Sequence, residues 1–264
     1  MEAKMGKIND LFRKRIGFEL GKNLDFEDLP DLLSMTAKTI PFENFCIIKG
    51  ESLPVTEENL VAKTLEKNEG GVCYELNPIL YLFLLENGFE VSLVRGVVYQ
   101  PQSQTWSSTG RTHTAIILNE DGRSYLIDTG FGSNLPLVPV PLSGETVKSE
   151  SGEYRIIKTE NSLGDCLLEM KRKGKDEDWV IGYVFDSANS FTDIQELEEM
   201  QKIIVESDQS PFNKNPLITR ITNNGSISLT RTSFTEWSNG EMKKKEIDEK
   251  KFGELAEKYF GVKY

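Results

Sequence analysis

The chain has 264 residues, room for two or three packed subdomains, and its 38% hydrophobic and 28% charged residues are those of an ordered globular protein rather than a disordered one. Forty-two acidic against 31 basic residues give a net charge of −11, which excludes binding to nucleic acid or an anionic membrane through the overall field. The longest apolar run, PILYLFLL at 78–85, is too short to span a bilayer, and MEAKMGKINDLF at the start lacks the apolar core of a signal peptide, so the expectation is a cytoplasmic protein.

In chain order, residues 7–85 carry apolar side chains at three- and four-residue spacings. The segments DLFRKRIGFEL, DFEDLPDLLSMTAKTI, TEENLVAKTLEKNE and PILYLFLLEN therefore read as helices, with Asp25 and Thr56 as N-caps and Asn87-Gly88 as a stop. From 89 the period changes to two. FEVSLVRGVVY, RTHTAIILN, RSYLIDTGF, YRIIKT, CLLEMKRK and WVIGYVFD are short, β-branched or aromatic, and separated by turn signals, which predicts an antiparallel sheet or small barrel. After 190 come an amphipathic helix (TDIQELEEMQKIIVES), a hairpin with Asn224 and Gly225 at its turn, and a terminal helix (DEKKFGELAEKYFG). The charged run EMKKKEIDEKK reads as a solvated helix face. The fold class expected is α+β in three parts: residues 1–88 helical, 89–190 antiparallel β, and 191–264 a mixed tail.

Three cysteines at 46, 73 and 166 do not form a disulfide framework and fit a reducing compartment, which leaves a thiol for chemistry. Cys73 stands in GGVCYELNP, loose on one side and constrained on the other. A helix beginning near Cys73 puts the sulfur at the positive end of the helix dipole, where thiolate is favoured and backbone amides are available to an oxyanion. Gly70 and Gly71 then let main chain and substrate approach without a Cβ. Asn77-Pro78 is a competing start signal four residues later. The earlier start is expected, at the cost of one backbone hydrogen bond or a kink at Pro78.

A cysteine nucleophile needs a base and a group to orient that base, and His113 is the only histidine. Between His113 and Asp128 lies NEDGR, whose Asp-Gly pair is a strong two-residue hairpin signal. With Glu120 facing Arg123, Asp128 falls opposite Ala115. It is then the diagonal neighbour of His113 on the same face, roughly 7–8 Å away along the backbone and within side-chain reach. A one-residue change in the loop would put the two on opposite faces. Cys46 in ENFCII and Cys166 in GDCLLE read as small buried hydrophobes.

The motifs GGVCYELN (70–77), STGRTH (108–113) and DTGFG (128–132), with RIGF (15–18) and IPFENF (40–45) before them, strongly resemble the arylamine N-acetyltransferase family. The resemblance covers most of the chain. It implies an N-terminal helical bundle carrying the nucleophile, a central antiparallel β-barrel carrying His and Asp, and a C-terminal α/β lid, around a cysteine-protease or transglutaminase-like catalytic core. It implies that Cys73, His113 and Asp128 are the catalytic triad and that Phe42, Tyr99, Thr112 and Phe131 line the acyl and arylamine pocket. Ser108, Thr109 and Gly110 match the family's coenzyme-binding turn, with Arg111 as a candidate cation. The activity implied is acetyl transfer from acetyl-CoA, through a cysteine thioester, to an arylamine, arylhydrazine or hydroxylamine, with no metal. One departure stands out: the family usually has arginine before the two glycines, where this chain has Glu69. Two glutamates, Glu43 and Glu69, cannot form the bridge that arginine makes, so another cation is expected in its place or Glu69 turned to solvent. The alternatives are a cysteine amidase or transglutaminase-like hydrolase and a catalytically silent CoA-binding module.

Overall fold

The computed structural model describes residues 7–264; the opening MEAKMG, part of the stretch read for a signal peptide, lies outside the described residues. Helices α1 (Lys7–Ile16), α2 (Leu29–Thr39), α3 (Phe45–Lys49), α4 (Glu57–Leu60) and α5 (Cys73–Glu86) form the first third. Their apolar faces close around α5, which is buried on nearly every side. The helix predicted over TEENLVAKTLEKNE is capped by the Thr56 hydroxyl, which accepts the Asn59 N–H at 3.2 Å. After Leu60 it widens into a π-helical segment, Val61–Glu66. Such widening often accompanies functional sites. Here it carries Lys63.

Short β1 (Phe42–Glu43) lies between α2 and α3; then follow β2 (Glu90–Gln100), β3 (Thr105–Trp106), β4 (His113–Glu120), β5 (Arg123–Ile127), β6 (Val140–Pro141), β7 (Val147–Ser149), β8 (Gly152–Asn161), β9 (Gly164–Arg172) and β10 (Val180–Phe185). They pair antiparallel in the order β6-β5-β4-β2-β10-β9-β8-β7, with β6 lying against β8, so the sheet curls into a nearly closed barrel around Tyr154, Leu168 and Phe185. Its outer face at Leu93, Ile116, Leu118 and Ile127 packs on the helical core, which is why these strands read as continuous apolar runs. Glu120 pairs with Arg123 and Ile116 with Ile127, the register expected from the Asp121-Gly122 turn.

The tail holds α6 (Leu197–Glu206), β11 (Leu217–Thr222), β12 (Gly225–Thr230), β13 (Ser233–Ser238), β14 (Glu241–Glu246) and α7 (Glu249–Phe260). The second sheet runs β1-β11-β12-β13-β14 and packs on α7 through Ile218, Leu229 and Phe252. Two expectations are corrected here. Thr222 pairs with Gly225, so the turn residues are Asn223 and Asn224. A Cβ on Gly225 would lie 2.2 Å from the Trp237 carbonyl oxygen, so the close approach of β13 demands glycine there. The EMKKKE half of the charged run is not a helix but the exposed edge strand β14, paired to β13. Its lysines are the kind that protect a sheet edge from further pairing.

Candidate active site

Cys73 is the first residue of α5, as the earlier of the two start signals predicted, and Pro78 lies inside the helix. Glu75 reaches back to accept the Val72 N–H at 3.0 Å, which closes the helix entrance. Neither glycine before the cysteine faces substrate. A Cβ on Gly70 would lie 2.2 Å from the Pro41 carbonyl oxygen, and one on Gly71 would lie 2.8 Å from Glu75. They admit the protein's own chain: Gly71 bridges to Phe42 of β1 and its carbonyl accepts the Glu43 N–H at 2.9 Å. The glycine that meets the nucleophile is Gly130, where a Cβ would sit 2.7 Å from Cys73 Cα.

His113 opens β4 and Asp128 directly follows β5, and their side chains meet at 2.7 Å between Nε2 and Oδ2. Both are almost fully buried. The Cys73 thiol donates to the Thr112 carbonyl at 3.5 Å and lies within hydrogen-bonding reach of the imidazole. Burial opposes charge on His113, but the Asp128 carboxylate and the sulfur outweigh it and push the imidazole up to about 10.

Three residues that sequence reasoning did not assign hold Asp128. The Tyr183 hydroxyl donates to Oδ2 at 2.9 Å, while the Asn77 amide and the Gly130 N–H donate to Oδ1 at 3.0 and 2.7 Å. Asn77 also donates to the Thr114 carbonyl at 2.6 Å and accepts the Thr129 N–H at 2.9 Å, tying helix to barrel. A polar residue in the middle of an apolar helix was the signal for it. For Tyr183 the signal was the inward phase of β10.

A cavity of about 340 Å³ opens on Cys73 and His113. Phe42, Thr112 and Phe131 line it, joined by Val98, Ile204 and Phe212, which sequence reasoning did not name. Phe131 lies over the His113 ring with centroids 5.1 Å apart. Tyr99 is a correction: β2 turns Val98 and Gln100 inward, so Tyr99 falls on the other face against Trp106. Thr109 also reaches the cavity, its hydroxyl 2.7 Å from that of Thr112, and Gly110 takes the positive φ of 71° that its turn needs. Ser108 is exposed beside Gln209, and Arg111 is exposed over a different hollow.

The missing arginine has a substitute. Lys63 lies 3.6 Å from Glu43 and 2.5 Å from Glu75, with little exposure in any of the three. Burial opposes its charge, yet Glu75 and then Glu43 raise it above the usual lysine range. Burial in turn pushes the Glu43 carboxyl up.

A buried sulfur, imidazole and carboxylate in series at the wall of an aromatic cavity are the constellation of a cysteine-dependent acyl-transfer catalyst. The chain belongs to the N-acetyltransferase family, whose model matches residues 25–264. It is 40% identical over 254 residues to an uncharacterized acetyltransferase of Bacillus subtilis (YvcN), covering 96% of this chain and 97% of that one. Among solved structures it is similar to arylamine N-acetyltransferase C from Bacillus anthracis, with 39% identity, a TM-score of 0.91, and 97% and 98% of the two chains covered. It is equally similar to a Bacillus cereus arylamine N-acetyltransferase described by its Cys-His-Glu catalytic triad, with 39% identity, a TM-score of 0.91, and 97% and 99% covered. In this chain the carboxylate that meets His113 is that of Asp128. Among the described residues no helix is long and apolar enough to cross a membrane, and no cluster of His, Cys, Asp or Glu could hold a metal ion.

Proposed function

We propose that the protein transfers an acetyl group from acetyl-CoA to an arylamine, arylhydrazine or hydroxylamine by way of a thioester on Cys73. The observation that carries this reading is the contact series from the Cys73 sulfur through His113 to Asp128, at the wall of an aromatic cavity in a chain of this family. Asp128, held by Tyr183, Asn77 and Gly130, orients the imidazole through Nε2 and leaves Nδ1 to serve the sulfur. His113 holds the proton of the Cys73–His113 pair as an imidazolium; the sulfur attacks the thioester carbonyl, and the imidazolium gives that proton to the departing coenzyme, which leaves as its thiol. Of the first four N–H groups of α5, those of Glu75 and Leu76 donate to the Val72 carbonyl, which leaves those of Cys73 and Tyr74 as the donors for the oxyanion.

The acetylated enzyme then meets the amine, which attacks while His113 accepts its proton, and the thiol is restored as the amide leaves. Aromatic amines are unprotonated at neutral pH and so nucleophilic. Phe42, Phe131 and Phe212 offer them faces to stack on and keep out the water that would hydrolyse the intermediate. Mixing the protein with acetyl-CoA should add one acetyl group, about 42 Da, on Cys73, and an arylamine should discharge it as the amide. C73A should lose both steps. Discharge as acetate at the same rate with or without amine would make the protein a hydrolase instead. Failure of Cys73 to acetylate would leave it a silent binding module.

A further inference from the structure

Of the PFEN stretch at 41–44, Phe42 lines the catalytic cavity and Glu43 pairs with Lys63. Asn44 follows them, buried and outside the cavity wall. It stands where a helix N-cap would, yet its side chain does not cap α3; the Glu43 carboxylate accepts the Phe45 N–H instead, at 2.5 Å. The Asn44 amide is turned to the chain that returns from α6 to β11. Its Nδ2 donates to the Phe212 and Asn215 carbonyls at 2.7 and 2.9 Å, and its Oδ1 accepts the Leu217 N–H at 2.7 Å. The Asn44 backbone N–H donates to the Leu217 carbonyl at 3.3 Å. The short ladder that pairs Phe42 with Thr219 and Glu43 with Ile218 is thus carried on, through a side-chain amide acting as a peptide would, as far as Phe212.

The consequence falls on the cavity, whose rings form two groups. Phe131 stands 5.1 Å from His113 and 5.1 Å from Tyr183, between ring centres, so its place is fixed by the catalytic centre. Phe212 belongs instead to the short turn Pro211–Asn213, with its ring 5.6 Å from Phe42 and tilted by 58°. Asn213 ties that turn to α6, donating to the Val205 and Ser207 carbonyls at 2.9 Å each. Asn44 ties it to β1. Both rings of the Phe42–Phe212 pair are therefore referred to one residue: Phe42 lies two positions before Asn44, and Phe212 hangs from the Asn44 amide by its carbonyl. The spacing of two ring faces matters to a flat aromatic acceptor and is indifferent to one without a ring.

We propose that Asn44 is a positioning residue that selects the acceptor: it sets the gap between Phe212 and Phe42, and with it the fit of an aromatic amine, and leaves the chemistry at Cys73 untouched. This role rests on the acetyl-transfer reading above.

The test compares a ring with no ring. In sequential-mix quenched flow, Cys73 is first loaded from acetyl-CoA and then meets 4-methoxyaniline or methylhydrazine, and the acetyl group left on the protein is read by mass spectrometry. N44A should need about tenfold more 4-methoxyaniline to half-saturate, with its limiting discharge rate and its reaction with methylhydrazine within about twofold of wild type. N44D keeps the acceptor for the Leu217 N–H and loses both donors, so it should show the same split, and it serves for the comparison where N44A does not stay folded. F212A should lose the preference for the ring as well. If Asn44 acts through Phe212, adding N44A or N44D to F212A should lower the ratio of 4-methoxyaniline to methylhydrazine reactivity no further. An equal loss with both acceptors, or losses from Asn44 and Phe212 that add, overturns the role of Asn44 and leaves the acetyl transfer standing. A wild-type protein that acetyl-CoA does not load removes the acetyl-transfer reading first, and the role of Asn44 with it.

Discussion

Lys63 reaches Glu75 across 2.5 Å, and the second oxygen of that carboxylate holds the Val72 N–H at the entrance to the helix that begins with Cys73. A charge presented by the π-helical turn thus fixes the chain on which the sulfur sits. Truncating it in K63A leaves Glu43 and Glu75 buried without a cation and should cost about 3–5 kcal/mol of unfolding free energy. K63R should retain most of that stability, and E43Q should restore part of it to K63A, as read from denaturant midpoints.

Gly130 offers a sharper steric test. A Cβ there would lie 2.6 Å from the Asn77 amide nitrogen and 2.7 Å from Cys73 Cα, and the latter is backbone that cannot rotate away. G130A should destabilise by about 1–3 kcal/mol and slow Cys73 acetylation about a hundredfold or more, because the strain lands on the nucleophile and on Asp128 together. The control is G253A in α7, where a Cβ meets nothing within 4 Å. It should raise stability by about 0.5–1 kcal/mol with unchanged activity.

Asn77 joins Asp128, Thr114 and Thr129 in one buried network. N77A strands several of these groups, so a loss of about 1–3 kcal/mol is expected, together with slower acetylation. N77D should be worse at neutral pH, since it sets a second carboxylate against Asp128. Thermal melts and single-turnover rates at matched pH distinguish the two.

His113 is the sole histidine, so its ring signals in a nuclear magnetic resonance spectrum need no assignment. They should show an imidazolium through neutral pH that titrates near about 10, and a lower midpoint in D128N and in C73A, which remove the two groups that raise it. The folded ring binds its proton more tightly than the unfolded one. The stability it adds is therefore fully present below about 6.5 and is lost as pH rises from there through about 10. A midpoint near 6.5 in the folded protein would contradict this.

The meeting of His113 and Asp128 was legible because a two-residue Asp-Gly turn fixes strand register, and register alone decides which face a side chain takes. The start of α5 was legible from the chemistry a nucleophile requires, against the Asn77-Pro78 signal. That signal failed because the Asn77 Oδ1, the atom a cap would use, accepts the Thr129 N–H instead. The sequence called for a replacement cation but did not identify it: the π-helical widening at Val61–Glu66 rotates Lys63 off any regular helical wheel. The phase of Tyr99 depended on its pairing with Trp106, and the turn at Asn223-Asn224 on the approach of β13 to Gly225. Both are contacts between segments distant from any local pattern.

Strand β1 is only two residues long, yet one of them, Phe42, is a wall of the catalytic cavity and the other, Glu43, is a partner of Lys63, while their backbones pair with β11. The last quarter of the polypeptide is therefore stitched to the nucleophile's own loop by a seam two peptides wide. Any loosening of that seam would move the acceptor's wall and the sulfur's footing in the same motion.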